Sequence, residues 1–266
     1  MRGYWLIAAC LAVSLSAGAA MSADASASSS PALYECAKLK KNATTKKYEG
    51  RYEKGCSKEN SKGEGEYEIK EGFGKGKLFK AKGGGANLEA PGVGGIDCLK
   101  SSAVGKFTSP TTGGNVVATF GDCEYDGHKC NSLGAATGTI VTDTLLGTDG
   151  YLEGKGTGSP KVGAVFSPET GEALAEFACG STDFAVTGSV IGEITPVNKF
   201  SKEAIFSFRQ KAIGVQEWET FEGGEIHELE VHLCPNCIDP ATESLGIAGD
   251  EELEIKAKIE ELNLKA

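Results

Sequence analysis

Two cysteines separated by two residues form the sharpest reactive motif of this sequence. Cys234 and Cys237 enclose a Pro-Asn dipeptide. Such a pair exchanges disulfides when its first thiol has a lowered pKa, often at a helix N-terminus. Here a predicted strand precedes the motif and Ile-Asp-Pro follows it. We therefore expect a structural disulfide, with thiol–disulfide redox activity as an alternative.

Two nearby histidines raise the question of zinc, which binds His and Cys side chains. His227 and His232 lie on the strand that leads into Cys234. In a regular strand His232 and Cys234 share one face, and His227 lies on the other. This alternation removes the fourth ligand, so the sequence predicts no metal site and no cofactor.

A group of acidic side chains near an aromatic ring could act on carbohydrate. Glu228 and Glu230 share a strand face beside Trp218 and Glu219 of the preceding strand. Glycosidases need two carboxylates across a cleft, but an amphipathic strand gives the same spacing without any chemistry. We treat the four residues as a candidate surface site. There is no Gly-x-Ser-x-Gly elbow, and three histidines give a Ser/His/Asp triad little support, so no catalytic residue is predicted.

The elements that must position these residues are strands and turns. Asp126-Gly127 favours a two-residue type I′ hairpin turn, because both positions need positive φ. In that register Glu124 faces Lys129, and Cys123 faces Cys130 at a distance that a disulfide can bridge. The spacing therefore predicts a Cys123–Cys130 disulfide.

The remaining cysteines outside the N-terminal leader are assigned more loosely, because eight cysteines allow about a hundred connectivities. Cys36 and Cys56 are near in sequence, and a local bridge is the economical choice. By the alternation of side chains along a strand, Cys98 and Cys179 each fall on the same face as apolar neighbours that are predicted to point inward. We expect them to form a buried second bridge.

Alternating apolar and polar residues predict most of the strands. Phe184, Val186, Val190 and Ile194 all fall on one face. Asp149-Gly150 is interpreted as another turn, and the Pro-Glu-Thr-Gly stretch 168–171 as a hairpin loop. With abundant glycine and no helix bounded by start and stop signals, the prediction is an all-β fold: an antiparallel twisted sandwich or barrel of meandering hairpins, stapled by disulfides.

The N-terminus has the pattern of a secretory leader. A basic residue precedes an apolar run and small residues, which predicts a signal peptide over 1–23 and a flexible Ser/Ala-rich tail over 24–32. Lipid attachment at Cys10 is the minor alternative. No later segment approaches the roughly 18 apolar residues of a spanning helix. We expect a secreted protein.

Charge is distributed unevenly along the chain, whose formal net charge is −10. The 35–82 segment is basic and the 217–266 segment strongly acidic. We predict a basic N-terminal β segment over 33–92, packed on a main all-β domain over 93–266. The basic 35–82 segment and the acidic end are interpreted as solvated faces, or as faces that attract each other within the fold. The alternative is that the 35–82 segment contacts an anionic cell-wall polymer or another extracellular ligand. An acidic chain without a recognised motif is a poor nucleic-acid binder.

A dispersed set of residues resembles a group of paralogous secreted proteins of actinobacteria. The resemblance covers most of the chain after Tyr34, and is carried by Cys98, the 105–112 run Gly-Lys-Phe-Thr-Ser-Pro-Thr-Thr, Asp122-Cys123, Cys130, Gly138-Thr-Ile, Phe177-Ala-Cys-Gly, Gly188-Ser-Val-Ile-Gly and Phe221-Glu-Gly-Gly. It implies export and a cystine-rich β fold, and no activity or site residue. Cys234 and Cys237 lie outside this pattern.

These observations together predict a non-enzymatic binding or structural role at the cell exterior. The first alternative is an extracellular carbohydrate-active hydrolase that uses the acidic residues near Trp218. The second is a redox protein that uses Cys234 and Cys237.

Overall fold

The protein is an antiparallel β structure, as the sequence predicts. The structure is a computed structural model, and it describes residues 30–72, 77–234 and 246–265. Within these ranges the regular structure is strand, apart from one short 3-10 turn at Lys54–Cys56. Among the same residues, no helix has the length and hydropathy needed to cross a membrane.

Twenty strands are present in the described part of the chain. In chain order they are β1 (Ala32–Lys38), β2 (Tyr67–Glu71), β3 (Leu78–Gly83), β4 (Ala86–Ala90), β5 (Gly94–Cys98), β6 (Lys100–Ser109), β7 (Thr112–Gly121), β8 (Glu124–Tyr125), β9 (His128–Asn131), β10 (Thr139–Val141), β11 (Leu145–Glu153), β12 (Lys161–Pro168), β13 (Ala173–Cys179), β14 (Thr182–Gly188), β15 (Val190–Thr195), β16 (Ser201–Phe208), β17 (Gln210–Ala212), β18 (Val215–Gln216), β19 (Leu229–Cys234) and β20 (Gly246–Lys265).

Most of these strands join end to end into eight long crossings of one barrel wall, counted over the described residues. The crossings are β3 with β4, β5 with β6, β7 with β8, β9 with β10 and β11, β12 with β13, β14 with β15, β16 with β19, and β20. Each crossing pairs antiparallel with the next. The last, β20, pairs with β16 and β19 on one side and with β3 and β4 on the other. The ladder therefore closes, and the fold is an up-and-down barrel.

The alternation in sequence decides which side chains fill the barrel. Phe184, Val186, Val190 and Ile194 are all buried, as the pattern predicts. On β3 Phe79 and Ala81 are likewise buried, whereas Lys80 and Lys82 between them are exposed. Successive strand residues point to opposite faces, so the barrel has an apolar interior and a charged exterior.

Each end of the barrel is closed by its own cluster of side chains. At one end Leu33 of β1 and Leu264 of β20 pack with Tyr151 and Ile194. At the other end the Tyr125 ring meets the Phe184 ring edge-on at 5.0 Å, and the Tyr125 hydroxyl donates to the Val93 carbonyl at 2.8 Å. The interior is thus covered at both ends.

The hairpin predicted at Asp126-Gly127 is present. Both residues have positive φ, 47° and 74°, and Glu124 pairs with Lys129 across the strands. The Lys129 Nζ lies 2.7 Å from a Glu124 carboxylate oxygen. The turn residues, the register and the ion pair agree.

The disulfide pairings correct part of the sequence prediction. Cys36–Cys56 is confirmed. The Cys123–Cys130 and Cys98–Cys179 pairings are wrong, because the bonds join Cys98 to Cys123 and Cys130 to Cys179. Each hairpin cysteine bonds to the strand on its outer side. β5 flanks β8, and β13 flanks β9.

Two predicted turns are also absent. Asp149-Gly150 lies in the middle of β11, where it pairs with Gly163 and Ala164 of β12. The 168–171 stretch does not reverse the chain, because β12 and β13 follow one another along the same partner crossing, β15 and then β14. The short loop between them is an insertion within one crossing.

Residues 209–228 leave the barrel wall and return to it, and we call this segment the outer cover. Trp218 and Phe221 of the outer cover pack on the outward side chains Leu152, Val165 and Ile191. The buried Gln216 side-chain amide donates to the carbonyls of Ser189 and His227. One part of the wall is therefore apolar on both faces.

The N-terminal segment is continuous with the barrel. β1 pairs with β2 and with the end of β20, and together with the Cys36–Cys56 loop these residues form a lobe at one end. β3 and β4, which fall inside the predicted 33–92 segment, are the first barrel crossing. The predicted boundary at residue 92 lies in the turn between β4 and β5.

Candidate functional site

A cavity of about 130 Å³ lies inside the barrel. Both small and large side chains line it. The small ones are Ala81, Ala86, Ala103, Ala118 and Ala175. The large ones are Phe79, Phe120, Phe166, Phe177, Phe206 and Phe208. Where alanines lie opposite each other, as Ala103 and Ala118 do across β6 and β7, the rings do not fill the space. We call this space the main cavity.

The chemistry of the main cavity is almost wholly apolar. Thr142 and Asn87 are the polar, uncharged side chains among its described lining residues. The Thr142 hydroxyl accepts a hydrogen bond from the Ala118 amide at 2.9 Å, and the Asn87 amide donates to the Asp97 carboxylate at 2.5 Å. Cys98 is held in its disulfide. These walls therefore suit an apolar ligand and offer no acid–base pair.

The volume of the main cavity sets the size of ligand that fits without rearrangement. An engineered apolar cavity of about 150 Å³ in another protein stays dry and binds benzene. Eight-stranded barrels are just wide enough either to be filled by side chains or to hold one small ligand. The main cavity thus accommodates roughly one aromatic ring or a short hydrocarbon chain.

A second cavity, of about 50 Å³, lies toward the end closed by Leu33 and Leu264. We call it the small cavity. Phe79 and Phe206 line both cavities, so the two are neighbours. The small cavity also contains Asp149, and burial alone raises the pKa of this carboxyl to about 8. An acid is therefore kept uncharged at neutral pH inside the barrel.

The candidate surface site predicted around Trp218 lies on the outside of the barrel. The Trp218 ring belongs to the outer cover, and the Lys161 ammonium lies 4.8 Å from its centre. Glu228 and Glu230 are exposed, and the Glu230 carboxylate lies 3.5 Å from the His232 ring. Glu219 is half-buried, and its carbonyl accepts a hydrogen bond from the His227 amide. The Trp218 ring therefore packs against the outer face of the barrel wall.

The two histidines considered as metal ligands have separate hydrogen-bond partners. His227 Nδ1 is 2.9 Å from the Ser189 hydroxyl, and His232 Nε2 is 2.9 Å from the Thr187 hydroxyl. Within the described ranges, no cluster of three or more metal-binding side chains is found. Cys237 lies outside the described residues, as does any bond it forms with Cys234.

Neither cavity is predicted from the sequence, although the sequence contains part of the signal. Asp149 has the parity of Leu145 and Tyr151, which are buried, so alternation alone would place its carboxyl inward. The Asp-Gly dipeptide instead predicts a turn. The volume left between alanines and phenylalanines depends on how eight crossings pack, which no single strand pattern contains.

Comparison with known proteins identifies no relative. No protein-family model, no curated protein and no solved structure matches this chain.

Proposed function

We propose that this chain is an exported, non-enzymatic binding protein that holds a small apolar molecule in the main cavity. The observation that carries the proposal is the cavity itself, about 130 Å³ of space lined by apolar side chains of the barrel strands. Burial of apolar surface stabilises such a complex by roughly 25 cal/mol per Å². Three disulfides and the leader-like N-terminus support export.

The proposal is tested with toluene and the purified, oxidised chain. A ligand that binds only the folded state raises the free energy of unfolding by about 2.7 kcal/mol at 100 times its Kd. We expect toluene to raise the Tm in proportion to the logarithm of its concentration. Calorimetry should give one site per chain.

Two variants locate the binding site. Ala118→Leu places a larger side chain in the main cavity and should abolish the toluene effect, and Ala118→Val should weaken it. Ala185→Leu is the matched control, because Ala185 lies on β14 between the inward Phe184 and Val186. If toluene does not stabilise the unsubstituted chain, or stabilises Ala118→Leu equally, the proposal is wrong.

A second candidate role involves the N-terminal lobe. Its lysines Lys40, Lys46, Lys54, Lys58 and Lys62 are exposed, and among the described residues they form no ion pair, in contrast to Lys38, Lys47 and Arg51. We propose that they contact an anionic cell-wall polymer. Retention on a polyphosphate matrix should fall steeply with salt. It should fall further in Lys54→Glu/Lys58→Glu, whereas Lys202→Glu on the barrel should have a smaller effect; equal losses contradict this role.

A further inference from the structure

Asp149 is a carboxylic acid inside the barrel that has no side-chain partner among the described residues. It lies on β11 with its side chain in the small cavity. Its carboxyl makes no hydrogen bond or ion pair with any described residue; its backbone amide donates to the Thr111 carbonyl. Asp149 keeps some accessible surface although protein surrounds its carboxyl. The small cavity accounts for both observations, because Asp149 is one of the residues that line it.

Buried polar groups are normally hydrogen-bonded, and an exception requires an explanation. An isolated carboxylate in apolar surroundings is so unfavourable that the group takes up a proton instead. Desolvation accordingly raises the pKa of Asp149 to about 8. The carboxyl of Asp149 is therefore desolvated without a compensating hydrogen bond, and a polar group of a bound ligand could supply that bond.

The charged side chains around the small cavity determine which charge a ligand group bound beside Asp149 can carry. Glu203 of β16 is the other charged side chain among its described lining residues, which come from β1, β3, β6, β11, β15, β16 and β20. Ser201 adds a hydroxyl, and Tyr151, two residues along β11, is a further titratable group. No described lysine, arginine or histidine lines the small cavity. With Asp149 protonated, Glu203 is therefore the charged group that a ligand meets on this wall, and it favours a cation over an anion.

The two cavities are separated by the rings that they share, those of Phe79 and Phe206. A molecule reaching past these rings would place an apolar body in the main cavity and a polar head beside Asp149. We propose that the ligand is an apolar molecule carrying a basic nitrogen, with its ammonium group bound to the Asp149 carboxylate. This inference rests on the proposed function, because it requires an occupied main cavity.

The chemistry distinguishes an amine from other head groups. An ammonium donates charge-assisted hydrogen bonds, which are roughly twice as strong as neutral ones. An alcohol would form a neutral hydrogen bond with protonated Asp149, and a carboxylate would be repelled by Glu203. When the ammonium binds near neutral pH, the Asp149 proton leaves to solvent and the carboxylate–ammonium pair remains. Charge is conserved, and one proton is released per ligand.

The test compares toluene, benzylamine, benzyl alcohol and benzoate, which share one ring and differ in the head group. With the unsubstituted chain at pH 7 we expect benzylamine to bind at least tenfold more tightly than toluene, and benzoate to bind most weakly. Calorimetry in buffers of different ionisation enthalpy should show proton release with benzylamine and none with toluene.

Asp149→Asn keeps the size of the side chain and removes the charge. It should weaken benzylamine at least tenfold, eliminate the proton release and leave toluene binding unchanged. Asp126→Asn, at the exposed hairpin tip, is the matched control. If toluene binds but benzylamine shows no preference, or its preference survives in Asp149→Asn, the amine inference fails and the proposed function stands. If neither ligand binds, both fail.

Discussion

Cys123 and Cys130 lie opposite each other at the base of one hairpin, yet their sulfurs are bonded to different strands. The Cys130 amide donates to the Cys123 carbonyl at 3.0 Å. Cys98 and Cys179 flank them, each with its Cα 4.0 Å from that of its bonded partner. The four cysteines thus form one inward row, on β5, at the residue before β8, on β9 and on β13. Two disulfides therefore bond the two sides of the hairpin to the strands that flank it, β5 and β13.

This row makes the disulfide pairing directly testable with trypsin. Cleavage after lysine separates all four cysteines, because Lys129 lies between Cys123 and Cys130. Under non-reducing conditions we expect peptide 83–100 joined to 107–129, and peptide 130–155 joined to 162–199. Mass spectrometry before and after reduction identifies each pair. A joined 107–129 and 130–155 product would contradict the structure.

The error in the predicted pairings has a simple physical cause. Within a hairpin the register is fixed by the turn, so Asp126-Gly127 correctly predicts that Cys123 and Cys130 are neighbours. A strand has two neighbours, however, and the second is set by the closure of the whole barrel. Alternation along the strands correctly predicts that Cys98 and Cys179 point inward, but it does not predict which cysteine each one bonds to. Alternation specifies a face but does not identify the partner strand.

Asp149 illustrates the same limit at the candidate site. The Asp-Gly dipeptide favours turns because of local backbone preferences, but here pairing with β12 keeps both residues extended. The glycine is required by packing. A Cβ on Gly150 would lie 2.6 Å from the Phe221 ring. The sequence could predict the strands and the inward faces, whereas contacts made by the distant outer cover could not be inferred from it.

Gly150→Ala should therefore displace the outer cover. Overpacking of this kind costs roughly 1–3 kcal/mol, and we expect the free energy of unfolding to fall by that amount. The fluorescence of Trp218, which packs in the same cluster as Phe221, should shift toward that of a solvent-exposed indole. Gly158→Ala is the matched control, because a Cβ there meets nothing within 4 Å. Equal stability of the two variants would show that Phe221 does not cover Gly150.

His227 should make the outer cover sensitive to acid. Desolvation by burial lowers the pKa of His227, so the folded state favours the neutral ring, whose Nδ1 meets the Ser189 hydroxyl at 2.9 Å. The unfolded chain takes up a proton near pH 6.5. The stability linked to His227 is therefore fully present above pH 6.5 and is lost as the pH falls below it.

Urea denaturation at pH 7.5 and pH 5.5 measures this loss. In His227→Asn, where an amide replaces the ring, the part of the pH dependence due to His227 should disappear. His128→Asn, on the exposed hairpin, should keep it. Removing only the hydrogen bond, by Ser189→Ala, should cost about 1 kcal/mol at pH 7.5. A pH profile unchanged in His227→Asn would rule out this histidine as the source.

Asp149 should destabilise the folded state as the pH rises, whereas His227 destabilises it as the pH falls. Its pKa is raised from 3.8 to about 8 on folding. Below pH 4 the carboxyl is protonated in both states and carries no penalty. Between about pH 4 and pH 8 the unfolded chain releases the proton and the folded chain retains it, so the folded state becomes progressively less stable. The penalty is constant above pH 8.

Asp149→Asn removes the titration while it keeps the side-chain volume. We expect the variant and the unsubstituted chain to have similar stability at pH 4, and the variant to gain steadily up to pH 8, by on the order of a few kcal/mol. Chemical denaturation at pH 4, 6, 8 and 9 measures the difference, with Asp126→Asn as the exposed control. A gain that is the same at every pH would mean that the carboxyl titrates as an ordinary surface acid, and that Asp149 is not shielded from water in the barrel.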